Sequence, residues 1–197
     1  MSRTDEELVA SSLAGDRSAF DLLVLRWDRK IQGAIYRLIG SEEEARDLCQ
    51  EAFLKAYRGL GAFKGEARFS SWLYQIALNL CRDRMRRRRG RTLVSLDALD
   101  AEGLPSVLRE EATAHELVEA KDLQRRVKAA VLALPDEQRE VIVLKEYEGL
   151  TFQEIADVLA LPVSTVKTRL YRGLDKLRER LSPQGLGAAV ASPASAP

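Results

Sequence analysis

Leu150-Thr151-Phe152-Gln153-Glu154-Ile155-Ala156-Asp157-Val158-Leu159-Ala160-Leu161-Pro162-Val163-Ser164-Thr165-Val166-Lys167-Thr168-Arg169-Leu170-Tyr171-Arg172 reads as two short helices joined by a tight turn. Thr151 with Glu154 three residues on forms a capping box, which marks a helix start. Phe152, Ile155, Ala156 and Leu159 follow at helical spacing on one apolar face. Pro162 disfavours helical geometry at Leu161 and so ends the first helix. The second starts near Val163 or Ser164, and Val166, Leu170, Leu174, Leu177 and Leu181 make its apolar seam. Its opposite face carries Thr165, Lys167, Thr168, Tyr171 and Arg172. This is the layout of a helix-turn-helix with a polar face suited to the DNA major groove, where Arg grips guanine through two hydrogen bonds and Thr methyls touch thymine. The competing reading is an ordinary helical hairpin with a solvated basic face.

Upstream of the hairpin, Ala120, Leu123, Val127, Ala130, Val131 and Leu134 make a further helical stripe. Pro135-Asp136 restarts the chain, Val141, Ile142 and Leu144 continue the apolar pattern, and Gly149 is placed to follow a helix C-terminus. His115 opens this unit and receives no function. Before it, Thr92 to about Glu111 is mildly acidic, holds Gly103 and Pro105, and has only weak periodicity. It is expected to be a flexible linker, reaching about 65 Å when extended, nearly two DNA turns at roughly 34–36 Å each. The tail after Ser182, rich in Pro, Ala and Ser, is expected to be disordered.

The N-terminal part is also helical by spacing. A first helix near Glu6 covers Leu8 and Val9. A second, capped by Asp16 or Ser18, buries Phe20, Leu23, Val24, Trp27, Ile31, Ile35 and Leu38 and stops at Gly40. A third, from about Glu42 to Gly59 with Ser41 as its cap, puts Ala45, Leu48, Cys49, Ala52, Phe53, Ala56 and Tyr57 on one apolar face. It leaves Glu43, Glu44, Asp47, Gln50 and Glu51 outside. The loop 59–69 contains Phe63 beside Lys64 and Phe69 beside Arg68, aromatics next to cations that suit stacking on unpaired bases. Either ring could equally pin the loop to the core. Ser70 or Ser71 is expected to cap a fourth helix, which shows Gln75, Asn79, Arg82 and Arg86 along its outside. It runs into the arginine-rich stretch Arg84 to Arg91, read as a phosphate-contacting strip.

Bulk composition narrows the classes. Lys plus Arg is 31 and Asp plus Glu 30, a net charge of +1, so a DNA-binding reading has to rest on local patches. Aromatics at 6% and the scarcity of alternating β-branched runs argue for an all-α chain. Two cysteines and one histidine are too few for a zinc framework, and Cys49 and Cys81 fall on apolar faces as buried thiols. No nucleotide-binding glycine loop, metal cluster or nucleophile triad is present, so neither catalysis nor a cofactor is expected. The N-terminus lacks the apolar core of a signal peptide and no run is long enough to span a membrane, which points to a cytoplasmic protein.

Four segments in order, Asp47 to Tyr57, Phe69 to Asn79, Leu134 to Val141 and Leu150 to Arg172, resemble those of an extracytoplasmic-function sigma factor of the sigma-70 family. The likeness spans about 18–181. It implies two small helical domains, sigma-2 over 5–91 and sigma-4 over 115–182, with linker 92–114 and tail 183–197. It implies that Asp47, Leu48, Gln50 and Glu51 dock on the clamp helices of the polymerase largest subunit. A second polymerase contact, to the flap, belongs to the same expectation. By the same likeness Phe63, Lys64, Arg68, Gln75, Asn79, Arg82 and Arg86 handle the −10 element, where the non-template strand is opened and a base flipped. Thr165, Lys167, Thr168, Arg169, Tyr171 and Arg172 meet the −35 element, with Arg172 reading a base and Arg169 contacting phosphate or flanking positions. An anti-sigma factor is an implied partner; a small-molecule substrate is not. Cys49 stands where the family usually has an aliphatic residue and Ser164 where glycine is common. Two other classes compete: a stand-alone regulator that binds paired half-sites as a dimer, and a helical adaptor with no DNA role.

Overall fold

The computed structural model describes residues 3–63, 65, 67–92 and 114–182, without side chains at 90–92 and 114–121. Lys64, most of the expected linker and the tail lie outside the described residues. Every regular element among the described residues is a helix.

The chain enters α1 (Asp5–Leu13) through a capping box, in which Thr4 Oγ1 accepts from the Glu7 amide at 3.2 Å and the Glu7 carboxylate accepts from the Thr4 amide at 2.7 Å. Such a cap is worth about 1 kcal/mol, and it starts the helix at Asp5, one residue before Glu6. Asp16 caps α2 (Arg17–Ile39) by accepting from the Ser18 amide at 3.0 Å. Gly40 ends α2 with φ 86°, a left-handed conformation that favours glycine. A Cβ there would also lie 2.9 Å from a Leu132 methyl, so side-chain size is limited as well. Ser41 caps α3 (Glu42–Gly59).

The fourth helix, α4 (Phe69–Thr92), departs from the sequence expectation at its start. The Arg68 carbonyl accepts from the Trp72 amide at 3.2 Å, so Ser70 and Ser71 lie inside the first turn and are not its caps. Phe69 is fully buried, and seating that ring in the core carries the helix start back past both serines. The continuation of α4 through the arginine run is as read from the sequence.

In the first unit, α2 packs on α1 and α3, and α4 closes the core over both. Leu8, Leu23, Ile31, Ile35, Leu48, Phe69 and Leu73 are among its fully buried side chains. The second unit comprises α5 (Ala114–Leu132), α6 (Asp136–Ile142), α7 (Phe152–Leu159) and α8 (Val163–Leu181). After α6 the chain widens into a π turn over Val143–Tyr147, with the Glu148 amide donating to the Val143 carbonyl at 3.1 Å. Gly149, at φ 70°, then closes the end while the Leu150 amide reaches the Leu144 carbonyl at 3.0 Å. Thr151 caps α7 through the expected box with Glu154. The turn before α8 uses Ala160 at φ 52°, a non-glycine residue in the left-handed region. Pro162, extended at φ −60° and ψ 143°, then precedes α8.

The two units do not stand apart. Helix α4 packs against α7, and α2 against α5 and α6, so one buried cluster runs through both. Arg139 is the polar centre of this junction. Its guanidinium donates to the Leu38 carbonyl at the end of α2 (2.7 Å) and to Leu132 (2.7 Å), Leu134 (2.8 Å) and Val131 (3.3 Å). Nearby, the Tyr74 hydroxyl donates to Glu148 at 2.7 Å, and Arg37 faces the same carboxylate at 3.6 Å. Burial raises the Glu148 carboxyl above its usual range, against the opposing pull of Tyr74 and Arg37.

Candidate nucleic-acid interface

Helix α8 sorts its side chains as an amphipathic helix must. Val166 and Leu170 are buried, with Leu174 and Leu177 packed beside them. Gly173 lets α8 lie close to α6, since a Cβ there would come within 3.1 Å of Ile142. The opposite face turns Lys167, Thr168, Tyr171 and Arg172 to solvent, and Thr165 is half-buried at its edge. Tyr171 is 59% exposed, a large apolar ring spent on the surface. Thr168 donates to the Ser164 carbonyl at 2.9 Å, so its hydroxyl is engaged within the helix. Lys167 lies 5.4 Å from the Phe152 ring centre. Arg169 differs from its neighbours: it is three-quarters buried and pairs with Glu137 at 2.8 Å.

On the first unit, Asn79 is exposed, Gln75 half-buried, and Arg86 is 80% exposed while pairing within its helix to Asp83 at 2.7 Å. Arg82 is held differently. Its Nε and Nη2 donate to the two oxygens of Glu140 at 2.7 and 2.6 Å, and Nη1 reaches the Asn79 amide oxygen at 3.4 Å. This carboxylate raises the Arg82 guanidinium further above its normal range. Arg68 pairs with Glu154 at 2.6 Å, and Arg89 with Asp136 at 2.6 Å. Phe63 is partly buried, its ring 4.9 Å from Trp72 and 6.2 Å from Phe69, so it belongs to an aromatic cluster that ties the loop to α4. Of the seven residues assigned above to the −10 element, Lys64 alone lies outside the described residues.

The acidic face of α3 divides in two. Asp47, Gln50 and Glu51 are exposed, with Glu51 pairing to Lys55 at 3.2 Å within the helix. Leu48, in contrast, is 2% exposed and points into the core. Its side chain packs behind the exposed face of the helix. Glu44 is also turned inward, with Arg84 at 3.0 Å and Arg88 on its other oxygen. Part of the arginine strip is thus held by α3, which spacing along either helix does not reveal. Cys49 and Cys81 are buried free thiols, and burial pushes each up to about 12. Among the described residues no group of His, Cys, Asp and Glu is placed to hold a metal ion, and no helix is long and apolar enough to cross a membrane.

Comparison with known proteins follows this division of the chain. Residues 23–91 match the family model Sigma-70 region 2, and residues 124–177 match Sigma-70, region 4. The chain is 37% identical over 182 residues to the RNA polymerase sigma-H factor of Pseudomonas aeruginosa, covering 91% of this chain and 94% of that protein. It is 35% identical over 183 residues to the ECF RNA polymerase sigma-E factor of Escherichia coli K12, covering 91% and 95%. Among solved structures it is similar to CnrH in complex with the cytosolic domain of CnrY, with a TM-score of 0.65 and 28% identity, covering 95% of this chain and 99% of that one.

Proposed function

The chain belongs to the sigma-70 family, in its extracytoplasmic-function group, and directs promoter-specific transcription initiation by RNA polymerase; within that role we propose a division of labour among its residues. The unit 5–91 docks on the core enzyme and opens the −10 element, and the unit 115–182 holds the −35 duplex. Residues 92–114 span the distance between them. Bond-making belongs to the polymerase core, and this chain lends it sequence selectivity.

The observation that carries the reading is the face of α8, where Lys167, Thr168, Tyr171 and Arg172 stand outside a seam sealed by Val166 and Leu170. A helix so backed can lie in a major groove without disturbing its own core. Arg172 reads a base edge, Lys167 and Tyr171 contact backbone or base, and Arg169, set at the edge with Glu137, serves flanking phosphate. On α4, Gln75, Asn79, Arg82 and Arg86 face the opened strand. Stacking and charge contacts there offset the few kcal/mol that each extruded base costs. Phe63 contributes through the aromatic cluster that sets the loop holding Arg68. Asp47, Gln50 and Glu51 form the docking face for basic residues of the clamp helices. CnrH is bound by the cytosolic domain of CnrY; a protein partner of that kind, an anti-sigma factor, would hold this chain inactive in the cytoplasm or at the membrane.

Run-off transcription with core polymerase on a genomic fragment library tests the whole reading: initiation at discrete sites is expected, and absence of any directed start would end it. Two substitutions resolve its parts. Arg172→Ala should cost about 1–3 kcal/mol of discrimination at one duplex position, read as a changed preference across −35 variants. Uniform weakening over all sequences would instead make Arg172 a phosphate contact. Asn79→Ala should slow promoter opening on duplex templates and leave −35 binding intact, as followed by permanganate footprinting beside a gel shift. The opposite pattern would remove Asn79 from the −10 site.

A further inference from the structure

Much of the hydrogen-bonding capacity on the outer face of α8 is already spent within the chain. Of the residues assigned above to the −35 element, Thr165 is half-buried and Arg169 is held by Glu137 at 2.8 Å. Lys167 lies 5.4 Å from the Phe152 ring centre, within reach of a cation–π attraction toward α7. Arg172 is exposed and, among the described residues, makes no hydrogen bond or ion pair. At about 3.6 residues per turn, Thr168 and Tyr171 fall between Lys167 and Arg172 around the helix. They form the centre of the face.

The Thr168 hydroxyl donates to the Ser164 carbonyl at 2.9 Å, one turn back. A hydroxyl carries a single proton, and this one is used inside the helix. The bond also selects the side-chain rotamer, because only certain staggered positions bring the oxygen to the preceding turn. The oxygen is held against the backbone of its own helix. The methyl is the branch that this exposed residue has left to offer. Tyr171, three residues on and on the same face, is 59% exposed. The centre of the face is therefore a methyl beside an aromatic ring, flanked by an ammonium and a guanidinium.

Thymine alone carries an apolar group in the major groove, its C5 methyl; the other base edges present donors and acceptors there. Residues near the N-terminus of a recognition helix are the ones that reach base edges, and Thr168 lies in the second turn of α8. We propose that Thr168 selects a thymine in the −35 element through its methyl group, its hydroxyl serving the helix and not the base. Arg172, one turn on, uses the opposite chemistry, a forked pair of hydrogen bonds. The proposal rests on the reading that α8 lies in the −35 major groove.

The test measures holoenzyme binding, by competition, to a promoter duplex recovered from the run-off experiment. Each thymine of its −35 element is replaced in turn by deoxyuridine, which pairs identically and lacks only the methyl. With the parent chain, one replacement should weaken binding about fourfold, the effect of burying one methyl. Thr168→Ser keeps the hydroxyl and should bind thymine and uridine alike at that position. Thr168→Val keeps the methyl and should retain both the affinity for thymine and the difference. Thr168 is exposed, so both variants leave the buried seam of Val166 and Leu170 intact. An element with no sensitive thymine, a difference that survives Thr168→Ser, or one that Thr168→Val removes overturns the proposal. Arg172→Ala on the same duplexes separates its failure from that of the groove reading. A changed base preference without any uridine effect removes the methyl contact alone, whereas the absence of both responses removes the groove reading and the methyl contact together.

Discussion

Reversing two charges on α3, Asp47→Lys together with Glu51→Lys, is expected to abolish binding to core polymerase while the fold persists. The two residues are four apart and so share one helix face. Both are exposed, and the side chains behind them, Leu48 and Ala52, are buried at 2% and 0%. Neither acid supports the core. Among the described residues Asp47 makes no hydrogen bond or ion pair, and the Glu51–Lys55 pair at 3.2 Å is exposed on both sides and worth little. Against a basic partner the substitution turns two attractions into two repulsions, and like-charge juxtaposition across an interface costs several kcal/mol. A loss of at least about 4 kcal/mol, roughly a thousandfold in affinity, follows. Competition against the unsubstituted chain for core enzyme measures it, with circular dichroism and a thermal melt as controls on folding. Normal competition by a folded double variant would discard the docking assignment. Lys55→Ala should leave affinity within about 0.5 kcal/mol, because it removes only a solvent-screened pair.

The helices were legible because their signals are local. The capping box at Thr151, the apolar seam of α8 and the Ser41 cap each depend on residues within one or two turns, and the structure has them where spacing put them. What escaped sequence reading depends on distant partners. Arg82 and Glu140 are 58 residues apart, and Arg68 and Glu154 are 86 apart, so no periodicity joins them. The start of α4 was misplaced by two serines of good capping chemistry, because the buried Phe69 ring outweighs a hydroxyl cap. The π turn at Val143–Tyr147 leaves no compositional mark, and Ala160 takes a conformation in which glycine is the usual signal. Leu48 is a different case. Its spacing already placed it on the inner face with Ala45 and Ala52, and only the family motif drew it into the docking set; the local signal was the better guide to its side chain.

Near-neutral charge, which weighs against a simple DNA-binding protein, has a structural counterpart. With 31 basic and 30 acidic side chains, the chain could hold separate basic and acidic faces. It does so on α8 and α3. Along α4, however, the arginines are met by acids inside the molecule: Glu44 by way of α3, and Asp136, Glu140 and Glu154 from the second unit. Acidic residues therefore stand in two settings, an exposed face on α3 and a counter-surface for the chain's own arginines. Net charge records neither, since it is the placement of each carboxylate that decides which guanidinium it reaches.

Replacing Arg139 should produce the largest loss of stability in the molecule. Its side chain is only 10% exposed, and burial lowers its guanidinium below the usual range, though Asp136 at 3.4 Å opposes this. It stays charged, and the charge is spent on four backbone carbonyls: Leu38 near the end of α2, Val131 and Leu132 at the end of α5, and Leu134 just after it. Carbonyls at a helix C-terminus have no partner within the helix and favour a cation. In Arg139→Met the side-chain volume is roughly kept, but the Leu38, Leu132 and Leu134 oxygens lose their partner, while Val131 keeps the Leu134 amide at 3.1 Å. Each stranded group costs about 1–3 kcal/mol, and breaking a buried charged network costs about 3–5 kcal/mol, so a loss near that range is expected. At about 2–4 °C per kcal/mol for a chain of this size the melting temperature falls by about 6–20 °C, as scanning calorimetry would record. Arg139→Lys should rescue little of it, because one ammonium cannot span carbonyls that a planar fork reaches from several nitrogens. A methionine variant within about 0.5 kcal/mol of the parent chain, or full rescue by lysine, would mean that water or rearranged backbone serves these carbonyls instead. The guanidinium would then not be what joins the end of α2 to the turn before α6.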